Sequence, residues 1–381
     1  MELRGYWNKD GMAGIRNHVA VVSLSVFSNT ATQAISSAVE GTVPLIHPHG
    51  RAEIGINKLR LHSNLIGQIL NPNVQAALLV GYEGKTTAKY VDEIRKLTKK
   101  EIDFINVLDS GTIDAVAEGT KIALEMSSFA SDVTREPMSI ADLTVGIKCG
   151  STDATSGIAS NPAVGNAVDR IVKSGGTAIF SETTEILGAE HILAKRGIDD
   201  AVSRQIMEAA RRNEEFALSM GVDLMGINPV PDNIEGGIST IEEKSLGAIR
   251  KSGTEKIQGV LNLGDRPLKR GLYFLDYPSA AQEVLTALTS TGCQMVLFST
   301  GAGNPSGTPI SPVIKVTGNQ RTVKRIPSHI DVDVAEMITG TMSVPEAGEK
   351  VFNFLARVAN GRRTKAEILK HREFSPIAVG L

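Results

Sequence analysis

The stretch VGIKCGSTDATSGIASNPAVGNAVDRIVKSGGTAIFSETTEILGAEH, residues 145–191, decides the fold. It opens on an apolar run, Leu143 to Lys148, with the length of a buried strand. Cys149 and a polar loop follow, with Asp153 and the hydroxyl side chains of Ser151, Thr152, Thr155, Ser156 and Ser160. Asn161-Pro162 then predicts a helix start. Asparagine is a favoured N-cap because its side-chain oxygen accepts a free backbone N–H, and proline suits the first helical position. Val164, Ala167, Val168, Ile171 and Val172 recur at the spacing of one helix face. Gly175-Gly176 stops the helix, and Thr177 to Phe180 reads as a second buried strand. Ser181, Glu182, Thr183 and Glu185 come directly after it, ahead of a helix with Glu190 and His191. Two strands joined by a helix run parallel, so both end on one edge of the sheet. Open α/β sheets bind their ligands at such an edge.

The same alternation extends to either side. Upstream, strands are predicted at 18–26, 43–46, 74–80 and 104–108, with helices at 30–39 (capped by Asn29), 58–70, 87–97 and 113–127. Residues 4–17 are glycine-rich and read as a loop or edge segment. Residues 129–142 lose periodicity and contain Pro137, which predicts a boundary there. Downstream, helices are predicted at 199–220, 240–251 and 280–289, with a turn-rich loop at 226–239. Strands follow at 271–275, 294–299 and 313–316, and a helix begins at 351. The expected class is α/β with two domains, 1–135 and 136–381, each a mostly parallel sheet flanked by helices.

Composition narrows the function. The 381 residues are 41% hydrophobic and 22% charged, within the globular range, and only 4% aromatic with 37 glycines. A net charge of −2 supplies no basic field for nucleic acid. Two cysteines, Cys149 and Cys293, make neither a disulfide framework nor a zinc cluster. No run of apolar residues is long enough to span a membrane, and no secretory signal opens the chain, so a cytoplasmic protein is expected.

Several residues carry chemistry. Gly301-x-Gly303-x-x-x-Gly307 follows a strand, but its spacing and Pro305 exclude a dinucleotide loop. It predicts instead a tight turn offering backbone amides to a small anion. His47-Pro48-His49 at a strand end reads as a loop pair, a metal ligand or a general base. Arg51, Lys58 and Arg60 nearby would attract a carboxylate or sulfonate. Glu182 is conspicuous because it directly follows a buried strand. Asp153 would hold a metal or orient a lysine, and Cys293 reads as packing.

Several long segments resemble the altronate/D-galactarate dehydratase family in collinear order. They are GYWNKDGMAGIRN, HPHG, NPNVQAALLVG, KCGSTDATSGIASNPAVGNAVD, FSETTEILGAEH, NPVPDNIEGGISTIEEKSLGAIRKSG, STGAGNPSGTPISPVIKV and TKAEILKHREF. The resemblance implies β-elimination next to a carboxylate: loss of water from a sugar acid such as altronate or galactarate, giving a 2-keto-3-deoxy acid. The family also includes the large subunit of sulfolactate sulfo-lyase, so sulfite release is the alternative, and a divergent non-catalytic member is a third reading. A small N-terminal β-rich domain of the dehydratases has no counterpart here, which implies a separate small subunit. A homo-oligomer is also expected. Iron is the metal the resemblance implies. The chain departs from the family where cysteines are usual, placing Phe27, Arg51 and Gly84 there. Oxygen and nitrogen ligands would then favour magnesium or manganese, or no metal.

On this reading His47, His49, Lys148 and Glu182 are the catalytic candidates. Arg51, Ser151, Asp153, Asn161, Asn233, Gly301, Gly303 and Lys315 are the candidates for binding a small hydroxy acid. Cys149 and Asp153 are the candidate metal ligands.

Overall fold

The structure is a computed structural model and describes residues 2–278 and 281–378. Fourteen strands occur among these residues. The N-terminal part holds β1 (Leu3–Trp7), β2 (Ala13–Gly14), β3 (His18–Ser23), β4 (Thr42–Leu45), β5 (Val74–Gly81) and β6 (Glu101–Asn106). Then come β7 (Arg135–Met138), β8 (Thr144–Gly150), β9 (Thr177–Phe180), β10 (Ile257–Leu261) and β11 (Gly271–Leu275). The last are β12 (Met295–Thr300), β13 (Val313–Thr317) and β14 (Val332–Asp333).

Two parallel sheets carry the architecture. The first has the order β4-β3-β5-β6, and the second β10-β11-β9-β8-β12-β13-β14. In the second, the chain extends from β8 in both directions, with β11 inserted between β9 and β10. In the first, it extends both ways from β3. Each of these positions is a topological switch point, where connections leave on opposite sides and open a crevice at the strand C-terminal ends. The helices α1 (Asn29–Ala38), α2 (Gly55–Leu70), α3 (Gly84–Leu97) and α4 (Val107–Asp132) link the first sheet. Gly111 breaks α4 near its start with φ 77°. Helix α5 (Asn161–Lys173) joins β8 to β9, and buries Val164, Ala167, Val168 and Ile171 against the sheet. Each buried valine or isoleucine of that face contributes ~1.5–3 kcal/mol.

The predicted strands and helices are present in order, with the following differences. The segments read as an N-terminal loop and as an aperiodic boundary pair with each other: β1 lies antiparallel to β2 and β7 in a small third sheet. Their alternation is too short to be recognised without the partner. Asn29 does not cap α1; its amide donates to the His47 carbonyl at 2.9 Å. Asn161 lies inside α5, because a π-helical turn at Ser156–Ser160 already begins the helical path. Strands β10 and β14 were not predicted; Gly259 and the shortness of β14 hide them. The helix predicted over 280–289 is described from Ala281 to Ser290, and Ala280 lies outside the described residues.

The two sheets are tied together by α2. The Gln68 amide donates to the Thr286 carbonyl and Ser290 Oγ at 3.0 and 2.9 Å, and Asn71 to the carbonyls of Thr289 and Cys293. The segment after Lys370 bridges the strand ends. Glu373 accepts the Gly307 N–H at 2.8 Å, Phe374 packs 6.0 Å from the His47 ring, and the Asn64 amide donates to the Pro376 carbonyl. Among the described residues no helix is long and apolar enough to cross a membrane.

Candidate active site

The neighbouring parallel strands β8 and β9 deliver their polar ends to one place. Lys148 and Cys149 close β8, and Glu182 lies one residue beyond Ser181 at the end of β9. Glu182 is the hub. Its Oε1 is 3.0 Å from Lys148 Nζ, and its Oε2 accepts the Cys149 N–H at 2.8 Å and pairs with Lys251 Nζ. Lys251 Nζ also lies 3.2 Å from Cys149 Sγ, and Lys148 Nζ donates to the Cys149 carbonyl at 2.6 Å. Lys148, Lys251 and Glu182 are each at most 3% exposed.

Glu182 sits in the left-handed region, with φ 84°. Such a backbone costs a non-glycine residue about 1–2 kcal/mol. It persists because the carboxylate is held from three sides. Burial pushes that carboxyl up, but Lys148, Lys251 and the Cys149 N–H outweigh it and hold it down at about 2. Burial works against the charge on Lys251, yet the Cys149 thiol and Glu182 carboxylate hold its ammonium above the ordinary lysine range. Burial, helped by Glu182, pushes the Cys149 thiol up to about 12 despite Lys251. Cys149 is therefore a protonated, inert thiol. Thiol-alkylating reagents are expected to leave Cys149 and the equally buried Cys293 unmodified in the native protein and to label both after unfolding. Native-state labelling of Cys149, read by peptide mass, would contradict this.

A second lysine–carboxylate pair stands beside the first. Lys244 Nζ is 3.1 Å from Glu185 Oε1 and donates to Asn228 Oδ1 at 2.8 Å. These two pairs with Lys148 set three ammoniums against two carboxylates. On the far side, Lys148 and Lys315 both lie over the Phe298 ring, 4.6 and 5.3 Å from its centroid. Lys315 is 1% exposed, and its amine donates to the Ser306 carbonyl. Burial pulls it down to about 8, against the Asp331 and Glu373 carboxylates.

The other predicted residues take different positions. Asp153 Oδ1 accepts from Thr155 Oγ1 at 2.6 Å and the Ser156 N–H at 3.1 Å, while Oδ2 accepts from the Asn319 amide at 2.7 Å. Asp153 thus pins the π-helical turn to the end of β13. Gly301 must be glycine because a Cβ there would fall on the Asp153 carboxylate. The glycine loop does not offer the free amides expected of it. Gly301 and Ala302 donate to the Ser151 carbonyl, Gly303 to Thr300 Oγ1 and Gly307 to Glu373. Ser151 itself adopts φ 51° to present that carbonyl. The Asn161 amide donates to the Gly247 carbonyl and the Asn233 amide to the Thr152 carbonyl, both at 2.9 Å, so both brace the loops. His47 donates from Nε2 to the Ser23 carbonyl at 2.9 Å and accepts the His49 N–H at Nδ1, leaving neither nitrogen for a proton relay. Burial, against the Ser23 bond, lowers it to about 4. His49 Nδ1 lies 3.6 Å from Glu53.

Lys251 was missed in the sequence. It follows the helix Ile241–Ile249, in a turn whose burial no periodicity announces. Its only signal is a lysine directly before Ser252-Gly253.

At the first sheet, the loops after β3, β4 and β5 converge. The Arg51 guanidinium lies 5.2 Å from the ring centroids of both Phe27 and Tyr82, which are 5.0 Å apart, and 3.2 Å from Glu83. Phe27 and Arg51 therefore do meet, while Gly84 faces Asp109 and Asn106, and none of the three offers a metal donor. No group of three or more His, Cys, Asp or Glu suited to a metal occurs among the described residues, so neither Cys149 nor Asp153 belongs to one. These residues do not fit the iron site that the resemblance implies.

Two open parallel sheets, one carrying a buried lysine–carboxylate centre at its strand ends, define an α/β protein with a candidate active site at a sheet edge. The family model for the D-galactarate/altronate dehydratase C-terminal domain matches residues 140–381, and that for the D-galactarate dehydratase/altronate hydrolase second domain matches 5–131. The chain belongs to the D-galactarate/altronate dehydratase family, and is an enzyme of the lyase class. It is 41% identical to a (2R)-sulfolactate sulfo-lyase subunit beta of Chromohalobacter salexigens, over 98% of both chains. It is 32% identical to a galactarate dehydratase (L-threo-forming) of Escherichia coli, over 77% of this chain and 58% of that one. An altronate dehydratase of the same organism is 26% identical over all of this chain and 78% of its own length.

Proposed function

We propose that this chain is the larger subunit of a lyase that eliminates sulfite from a short 2-hydroxy acid bearing a sulfonate on C3. The observation that carries the anionic substrate is the excess positive charge of the buried centre. Lys148, Lys244 and Lys251 outnumber Glu182 and Glu185 by one. An uncompensated charge out of water is costly, and an incoming carboxylate relieves it. The choice of sulfonate over sugar acid is supported by the higher identity and fuller mutual coverage of the sulfo-lyase subunit. That relative's designation as a subunit also supports a separate partner chain.

The chemistry needs a base at C2, positive charge at the enediolate and a leaving group at C3. Lys315 is the base: it lies in the middle of β13, shares the Phe298 ring with Lys148, and titrates at about 8. Its amine takes the C2 proton, the freed pair becomes the C2–C3 double bond, and the C3–S pair departs with sulfite. The resulting enol tautomerises to a 2-keto acid. Lys148 and Lys251 hold the carboxylate charge as it builds, and Glu182 fixes both ammoniums in place. A base must be unprotonated to act, so turnover is expected to rise with pH and level off above about 8. Arginine stays protonated throughout this range, so Lys315→Arg is expected to lose about 10²–10⁴-fold in kcat. A flat pH profile or an active variant removes Lys315 from this role.

The test of the reaction is a paired assay, with the chain alone and co-expressed with its small subunit. Bisulfite and a 2-keto acid in equal amounts from (2R)-sulfolactate are the expected result. Formation of 2-keto-3-deoxy acids from altronate or galactarate, with no bisulfite from sulfolactate, would overturn it. That outcome would establish the second reading, sugar-acid dehydration, which the family models favour.

A further inference from the structure

We propose that the switch point of the first sheet is a binding site for a sulfur oxyanion, R–SO₃⁻, with Arg51 as its principal ligand. The proposal rests on the sulfo-lyase reading above. Strand order β4-β3-β5-β6 places the switch between β3 and β5. A cavity of about 230 Å³ lies there, between Ser25 after β3 and Tyr82 after β5, lined also by Arg51, Lys58, Glu53 and Thr86. This is the position at which open parallel sheets take their ligands, and the volume suits a small ion or a short acid.

The cation in this cavity is held in an orientation suited to an oxyanion. Phe27 and Tyr82 lie against the guanidinium at equal distances. Aromatic contact of this kind restrains its plane without using its N–H groups. Among the described residues one guanidinium nitrogen is engaged, by Glu83 at 3.2 Å. That pair is about half exposed on both sides (45% and 46%), and such pairs contribute little. Glu53 has partners of its own: its Oε1 accepts the Gly50 N–H at 3.0 Å and faces His49, and these bonds hold its carboxyl below the usual range although burial opposes them. Arg51 thus keeps guanidinium donors at the cavity, which Lys58 also lines. A tetrahedral oxyanion accepts a guanidinium fork through two oxygens and leaves the third for an ammonium. Glu83 is then a resident anion that the ligand displaces.

Two sources supply this chemistry: the sulfonate end of the substrate and the sulfite released from it. Calorimetric titration separates them, using 3-sulfopropanoate for the first, sulfite for the second and malate as a carboxylate control. We expect at least one sulfur oxyanion to bind more tightly than malate. Arg51→Ala should weaken that binding about 30- to 100-fold, and Arg51→Lys by less. Glu83→Gln should tighten it about threefold, because the competing carboxylate is gone. A purely structural Arg51–Glu83 pair would predict no tightening. Binding by 3-sulfopropanoate but not sulfite assigns the site to the substrate, and the reverse assigns it to the product. Unchanged affinity in both Arg51→Ala and Glu83→Gln, in variants whose melting shows them folded, would overturn the proposal. Titration reads the site without turnover. Loss of the sulfo-lyase reading would show as no bisulfite release from the wild type, and loss of this site as bisulfite release with unaltered binding in the variants.

Discussion

Glu182→Gln is expected to destabilise the protein by about 3–5 kcal/mol and to abolish turnover. Among the described residues this carboxylate is the counter-charge in contact with both Lys148 and Lys251, and all three groups are buried. Glutamine keeps the size and the acceptor oxygen but cannot neutralise either ammonium. Removing one partner of a buried ion pair leaves the other charge without water and without a counter-ion, which is why the loss exceeds that of a surface pair. The left-handed backbone at Glu182 adds to it, since the strain remains after the interaction that held it has gone. The pH dependence gives an independent readout. The folded carboxyl titrates at about 2, below the ordinary 4.5. A depressed acid contributes stability that is present above the unfolded value and lost as pH falls toward the folded one. Wild-type stability should therefore decline between about 4.5 and about 2 by an increment that Glu182→Gln lacks. Urea unfolding at pH 7 and across that acid range measures both. A variant as stable as the wild type at pH 7 would mean that Glu182 is protonated in the native protein.

Much of this centre was visible in the sequence, for identifiable reasons. Strands β8 and β9 could be found because both are continuous apolar runs punctuated by glycine pairs or polar loops. Their parallel pairing follows from the helix between them. Glu182 stood out because a carboxylate at the end of a buried strand must have a partner. The partners were less legible. Lys148 is adjacent in the pattern, but Lys251 arrives from a turn 69 residues further on, through tertiary packing alone. The glycine loop misled in an instructive way. Glycines do bring backbone close to other atoms, but the atom approached at Gly301 is Asp153 of the protein itself. Asn161 and Asn233 were polar and well placed, yet their amides serve neighbouring carbonyls. A sequence shows which side chains can donate; it does not show whether the backbone will claim them first. The meeting of Phe27 with Arg51 came from the same rule that found the second site, since the loops after β3, β4 and β5 share one sheet edge.

The position of Lys251 makes a second large effect predictable at a residue with no polar side chain. Gly165 lies on α5 where the backbone of the turn Arg250–Ser252 crosses it, and a Cβ at Gly165 would overlap the Arg250 carbonyl oxygen and press on the Gly253 nitrogen at 2.9 Å. The turn has no easy retreat. Arg196 donates to Ser252 Oγ at 2.8 Å and to its carbonyl at 3.0 Å, and Asp169 accepts the N–H groups of Thr254 and Glu255. Gly253 itself is at φ 69°, facing Gly165 and Asp169. Gly165→Ala must therefore move the turn, and Lys251 with it, relative to Glu182 and Cys149. Overpacking of this kind costs about 1–3 kcal/mol. A shift of roughly 1 Å in a positioned charge lowers kcat by about 10²-fold, while KM changes little if substrate binding does not depend on Lys251. The variant should be combined with Glu182→Gln. If Gly165→Ala acts by pulling Lys251 from its carboxylate, the two stability losses will sum to less than their separate values, because each breaks the same contact. Full additivity, with kcat at the wild-type level, would show that the turn yields without moving the ammonium.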